Sequence, residues 1–380
     1  MTLLDPPRPA PAPAAPSTSA APATPGTPGA PGARAQSTFG PLASAVRGSG
    51  YLDRQIGYYI RLASVILGGI AITATGVVLL SHSWWALLLA VPAALLSAQV
   101  GFFGHDAGHQ QIAASKKANR ILGFIAGNVL GGLSYGWWQD KHLRHHANPN
   151  HEGLDPDVAE GTIVWSDRQA SKRTGFGIWL AHHQADLFFP LLTFEGWSLM
   201  VSGLKTLRLR PKRQRMVEAT LLGMRHAVCL VFLFVFLTPG QAVLFVLIHQ
   251  AIYGMNLGMA FAPNHKGMLM PEPGTKMDHL HKQVLTSRDV SGGWLVDQFL
   301  GGLNYQIEHH LFPSIPRPNL RLAQPMIRDY CLVQGLPFRN VGFIASYREC
   351  LDHLRSVGDT AGRTPVEMPA AESVSADSSR

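Results

Sequence analysis

His142-Leu143-Arg144-His145-His146 sets three imidazoles at i, i+3 and i+4, within one turn of each other on a helix. Two related clusters lie far off in the chain: His105-Asp106-Ala107-Gly108-His109 upstream and Gln306-Ile307-Glu308-His309-His310 downstream. Neutral imidazole suits borderline metals such as iron, zinc and copper. A chain this apolar gains little from clustered histidines unless something binds them, so the three boxes read as one metal site.

The metal capacity has to come from the 17 histidines. The three cysteines, Cys229, Cys331 and Cys350, are too widely spaced for a disulfide framework or a cysteine metal site. Of the 380 residues 46% are hydrophobic and 15% charged, with the apolar residues gathered in long runs. That pattern indicates a polytopic membrane protein with a sizeable soluble part. The net charge of +8 comes with no recognisable nucleic-acid-binding module, so nucleic acid is not the expected partner.

Residues 1 to about 45 are mostly Ala, Pro, Ser, Thr and Gly, a composition that predicts a disordered cytoplasmic tail without a signal-peptide core. Tyr58 to Leu80 is long and apolar enough to cross a bilayer, and Trp84 to Phe103 forms a second span after the Ser81-His82-Ser83 turn. Ile121 to Tyr135 is short and glycine-rich, and reads as re-entrant or interfacial. Leu187 to Leu204, with Pro190 and Glu195 inside it, reads as an interfacial helix. His226 to Leu237 and Gln241 to Phe261 form a second hairpin, whose first helix has to begin near Leu221 to reach spanning length. Residues beyond about 266 are mainly soluble, and 356–380 form a second polar tail predicted to be disordered. The fold class is therefore an all-α membrane protein, residues 50–345, with four spans in two hairpins under a cytoplasmic helical cap that carries the metal site.

Charge supports this topology. Fifteen Lys and Arg lie between residues 102 and 225, including the run Lys205 to Arg215, while the turns at 81–83 and 238–240 carry none. By the positive-inside rule the long loop and all three boxes are cytoplasmic. At about 1.5 Å per residue, His105 and His265 each lie roughly 30–36 Å along their spans, at the same membrane boundary. The candidate ligands are His105, His109, His142, His145, His146, His265, His309 and His310. Eight exceed one tetrahedral zinc site and suit two ions. Asp106, Glu152, Asp155, Asp157 and Glu308 are candidates to orient ligand rings, and Gln306 and Asn264 to bind directly, through water, or behind the ligands.

Other readings are weaker. Interfacial packing explains one histidine box more readily than three interleaved with spans. A zinc transporter needs ionisable ligands within its spans, where only His249 stands, more simply a satisfied buried polar residue. A haem protein has no use for adjacent boxes. His182, His183, His226 and His353 read as interfacial or surface residues, His279 and His281 as a surface loop, and His151 as a spare.

The three boxes in this order resemble the membrane fatty acid desaturase family. The similarity covers about residues 55 to 345 and includes Ala147-Asn148-Pro149-Asn150, Asp155-Pro156-Asp157, Thr286-Ser287-Arg288 and Leu311-Phe312-Pro313. Gln306, where many members have histidine, resembles the front-end and bacterial acyl-CoA subgroup. The resemblance implies a di-iron, O2-dependent enzyme of a bacterial cell membrane that introduces a cis double bond into an acyl-CoA or acyl-lipid, with no separate acid or base. It also implies an apolar substrate tunnel, for which residues after Ser291 and around Trp294 are candidates. No His-Pro-Gly-Gly motif of a fused cytochrome b5 occurs, so electrons are expected from a separate ferredoxin, cytochrome b5 or flavoprotein reductase. The Lys205 to Arg215 run is a candidate dock for an acidic carrier, anionic lipid or CoA phosphates. A histidine-box hydroxylase or ketolase is the alternative within oxygen chemistry, and a non-catalytic metal-binding membrane protein the alternative outside it.

Overall fold

The computed structural model describes residues 38–363. The predicted tails lie largely outside that range, but the ordered body begins sooner than composition suggests. Helix α1 (Phe39–Gly48) buries Leu42 and Val46 in a cluster with Leu280, Ile307, Leu320 and Ile327. Fully burying such side chains contributes about 1.5–3 kcal/mol each, enough to offset the poor helix propensity of neighbouring Gly and Pro. At the other end the helix that contains residue 356 continues to Gly358, and Ala361 is buried.

The helices that follow are α2 (Ile56–Leu79), a 3-10 turn (Trp84–Leu89) leading into α3 (Ala90–Gly108), α4 (Lys116–Phe124) running into a π-helical segment (Ile125–Gly131), and α5 (Tyr135–Ala147). Short helices α6 (Asp167–Ser171) and α7 (Phe176–His182) precede α8 (Gln184–Leu192) and α9 (Glu195–Leu207). Then come α10 (Lys212–Phe236), α11 (Pro239–His265), α12 (His279–Leu285), α13 (Gly293–Phe299), α14 (Gln306–Leu311), α15 (Arg317–Val333) and α16 (Phe343–Gly358). Strands β1 (Asp289–Ser291) and β2 (Asn340–Gly342) pair in parallel, Val290 opposite Val341, a small exception to the all-helical expectation.

Among the described residues four helices are long and apolar enough to cross a membrane: Ile56–Leu79, Trp84–Gly108, Lys212–Phe236 and Pro239–His265. The third begins nine residues before the expected Leu221, because the basic Lys212 to Arg215 turn is itself helical. The expected single helix over 187–204 is instead two, α8 and α9, bent by 71°.

The second and fourth spans form the inner pair: 33% and 39% of their apolar windows are buried, against 11% for each outer span. Ala94, Ala98 and Phe102 of α3 meet Tyr253, Leu257 and Ala260 of α11. Gly254 lets α9 come close, since a Cβ there stands 2.7 Å from the Gly196 backbone nitrogen. At the far end the two short connections bind each other: Ser81 Oγ donates to the Phe236 carbonyl at 2.8 Å and Gln241 Nε2 to the His82 carbonyl at 2.9 Å. At the opposite end α3 and α11 terminate on histidines.

Candidate metal centre

His105 lies in the last turn of α3, His109 caps that helix, and His265 ends α11. Helix α5 contributes His142, His145 and His146, and the six-residue α14 contributes His309 and His310. All eight rings are buried, and they fall into two groups. His105, His109, His142, His146 and His309 each bring one nitrogen within 4.8 Å of the others. Among their Nε2 atoms the separations are 2.8 Å for His109 and His142, 3.0 Å for His142 and His146, and 3.1 Å for His309 with His105 and with His146. His145, His265 and His310 form the second group. The stacked rings of His146 and His310, centroids 4.3 Å apart, join the two.

Helical geometry explains the division. Successive residues are turned by about 100°, so i and i+4 share a face while adjacent residues diverge. His105 with His109, and His142 with His146, are i, i+4 pairs and enter the first group. His145 and His310 are each turned from a first-group neighbour into the second.

Outer partners orient the rings. His105 Nδ1 lies 3.2 Å from Asp106 Oδ1, and Asp106 is held in turn by the Arg317 guanidinium. His145 Nδ1 meets Asp155 Oδ2 at 2.9 Å and Asp157 Oδ2 at 3.4 Å. His265 Nδ1 donates to the Thr286 carbonyl and His310 Nδ1 to Gln283 Oε1, at 2.9 and 3.0 Å. Trp138 stacks on His142 at 4.6 Å. Gln306 Nε2 stands 2.9 Å from His265 Nε2, and Asn264 is pinned by donation to the Ala260 and Leu303 carbonyls.

Burial, reinforced by neighbouring imidazoles, holds His142, His146, His309 and His310 well below the ordinary histidine range. Burial also disfavours charge on His145, but Asp155 and Asp157 outweigh it and raise its pKa. Burial pushes Asp157 upward, yet Lys141 and then His145 hold it well below the usual carboxylate range. A neutral imidazole has one N–H, and in His265 and His310 an outer acceptor takes it. Their Nε2 atoms then face inward as lone pairs, and that of His310 has no hydrogen-bond partner. Crowded imidazole nitrogens, with His310 Nε2 left unpartnered, fit a metal cation, and a donor set so rich in imidazole fits iron or another borderline metal.

Not every candidate comes to the site. Glu152 turns away to Ser166 and Arg168. Glu308, on the histidine-bearing helix, lies buried against Asp289 rather than behind a ligand. His151 donates to the Glu152 carbonyl, His249 pairs with Ser97 Oγ at 3.0 Å, and His281 pairs with Asp278. Trp294 and Leu295 are among the most exposed apolar residues, so α13 encloses no tunnel with them.

Several contributors stand outside the candidate ligands and their candidate partners. Gln283 and Arg317 sit in elements without a ligand. Asn150, at φ +56°, holds Asp155 through its backbone N–H at 2.7 Å and reaches the His265 carbonyl with Nδ2 at 2.7 Å. Buried Arg288 donates to the Pro263 and Lys266 carbonyls and to Glu349, tying down the end of α11 that presents His265.

A sequence-family model described as "Fatty acid desaturase" matches residues 82–342. Among curated proteins, the chain is 30% identical over 314 residues to an acyl-lipid (9-3)-desaturase of Physcomitrium patens, covering 78% of this chain and 58% of that one. It is 29% identical to a Delta 8-(E)-sphingolipid desaturase of Komagataella phaffii, covering 70% and 53%. It is 25% identical to the Delta(5) fatty acid desaturase fat-4 of Caenorhabditis elegans, covering 87% and 76%. The chain thus spans little more than half the length of the first two relatives.

Proposed function

This chain belongs to the fatty acid desaturase family, and we propose that it is an O2-dependent desaturase converting a –CH2–CH2– unit of a fatty acyl chain into a cis double bond. The observation that supports this reading is the convergence of eight histidines from four helices into two adjoining groups. His105, His109, His142, His146 and His309 hold one iron. His145, His265 and His310 hold the other, with Gln306 and Asn264 beside it. When bound, the irons supply the O2 activation that attack on an unactivated methylene requires.

The reaction balances as two hydrogens removed from the acyl chain, with two electrons and two protons from an external donor, reducing one O2 to two waters. A ferredoxin, cytochrome b5 or flavoprotein reductase fills the donor role. The protein's part is to position the ligands through Asp106, Asp155, Asp157, Gln283 and the Thr286 carbonyl, and to keep water from the buried site. No side chain is assigned as acid or base. The four spans pair as two hairpins, with the centre and both termini on the cytoplasmic side of a cell membrane. The Delta(8) and Delta(5) names among the relatives favour a front-end position for the new double bond, in an acyl-lipid or acyl-CoA.

The test is the fatty acid profile of a host expressing the chain, with double-bond positions determined by mass spectrometry. Loss of two hydrogens from an acyl chain is the expected product. Gain of an oxygen identifies a hydroxylase or ketolase and overturns the desaturase reading, as does an unchanged profile in the presence of a competent electron donor.

A further inference from the structure

Two stretches of this chain change from basic to apolar at the same level. On α4 and the π-helical segment, Lys116, Lys117 and Arg120 give way to Ile121, Ile125 and Val129. On α10, Lys212, Arg213 and Arg215 give way to Val217 and Leu221. A cavity of about 610 Å3 lies between these elements, with Lys117, Arg120 and Arg213 at its polar end and Ile121, Ile125, Val129, Val217 and Leu221 along its length. No carboxylate lines it, and among the described residues none of the three cations has an ion-pair partner. Arg120 is steered to the mouth by the Phe124 ring, 5.6 Å from its guanidinium.

A second, more polar cavity of about 330 Å3 shares Arg120, Phe124 and Gln214 with the first. Lys116, Gln139, Arg210 and Asp140 line it, Arg210 pairing with Asp140, and Gln139 Oε1 has no hydrogen-bond partner. It also touches Gly108 and Gly136, next to His109 and at the start of the helix that carries His142.

We propose that the joined cavities bind one anionic phospholipid, its phosphate among Lys117, Arg120 and Arg213, its headgroup hydroxyls in the polar cavity and one acyl chain in the apolar groove. Three cations at the head of an apolar channel match the charge and shape of an amphiphile. The level is that of lipid headgroups whichever side of the membrane it faces, because α10 enters its spanning stretch there. Ile121, Ile125 and Val217 are exposed, so a phospholipid in the surrounding bilayer reaches this groove sideways, and palmitoyl-CoA is the competitor from which the test distinguishes it. The proposal rests only on membrane embedding, and its test needs no turnover.

The full chain is placed in vesicles of phosphatidylcholine containing a phosphatidylglycerol with a photoreactive diazirine in one acyl chain. It is irradiated, digested and mapped by mass spectrometry. Label is expected on residues 121–129 and 217–221. It is expected to fall about tenfold or more in the triple variant Lys117→Gln, Arg120→Gln, Arg213→Gln, since each cation near a lipid surface contributes about fivefold. Val217→Trp, which fills the groove and keeps the charges, is expected to exclude the chain from 121–129. A thermal unfolding midpoint in detergent equal to wild type shows that each variant is folded. Label spread evenly over the spans, label unchanged by the triple variant, equal labelling by a phosphatidylcholine probe, or displacement by palmitoyl-CoA overturns the proposal.

Discussion

Arg317 and Asp106 meet in the interior, the guanidinium Nε donating to Asp106 Oδ2 at 2.8 Å while the other oxygen of that carboxylate faces His105 Nδ1. Both side chains are almost fully buried, so neither charge has water as a substitute partner. Arg317→Gln is predicted to leave Asp106 uncompensated and destabilise the fold by about 3–5 kcal/mol. The milder Asp106→Asn removes the charge behind His105 and is predicted to weaken metal retention about 10–100-fold. Chelator titration with metal analysis checks the second variant, thermal unfolding in detergent the first.

Gln306 belongs beside the second histidine group. Gln306→Ala is predicted to lower iron retained by His145, His265 and His310 while the five-histidine group keeps its ion. Metal analysis is expected to fall from two irons per chain toward one. A variant that retains both removes Gln306 from the account.

Gly108 sits where α3 passes the first turns of α5. A Cβ there stands 2.7 Å from Gln139 Oε1 and 2.7 Å from the Trp138 ring, which stacks on His142. Gly108→Ala is predicted to cost about 1–3 kcal/mol through overpacking. The same displacement of Trp138 is predicted to alter the metal centre's visible or Mössbauer spectrum, a readout that a distant packing defect leaves unchanged.

Asp289 and Glu308 form a buried carboxylate pair outside the spans. Burial pushes Asp289 up to about 6 from its ordinary 3.8, and burial together with the Asp289 charge holds Glu308 well above the usual range. A raised folded pKa means the native state binds the proton more tightly than the unfolded chain. The stabilisation is therefore complete below the ordinary pKa of Asp and is lost as pH rises through the raised value. Asp289→Asn is predicted to flatten the decline in melting temperature between about pH 4 and pH 6. A decline equal to wild type places the titration elsewhere.

The spans and the ligands were legible because they repeat: apolar runs of about 20 residues, and histidines in boxes. The sorting of those histidines into five and three was implicit in the 100° turn per residue, which separates His309 from His310 and His145 from His146. The supporting residues were not legible. Gln283 and Arg317 act through contacts brought together only by tertiary packing, and nothing in their neighbourhoods marks them, while Asn150 stands in a stretch marked only by resemblance. Helix α1 was not legible because its Gly-Pro-Ala composition matches the sequence before it; Leu42 and Val46 order it by burial rather than propensity. The bend between α8 and α9 lies after Pro190, within a run whose hydropathy reads as continuous.

The central claim is that eight histidines hold two irons. Metal analysis of the full chain, purified in mild detergent without chelators, tests it most directly: two irons per chain are predicted, falling to about one in His145→Ala, which empties only the three-histidine group. A wild-type chain that takes up no iron when supplied with it, or a His145→Ala chain that keeps both ions, contradicts the account.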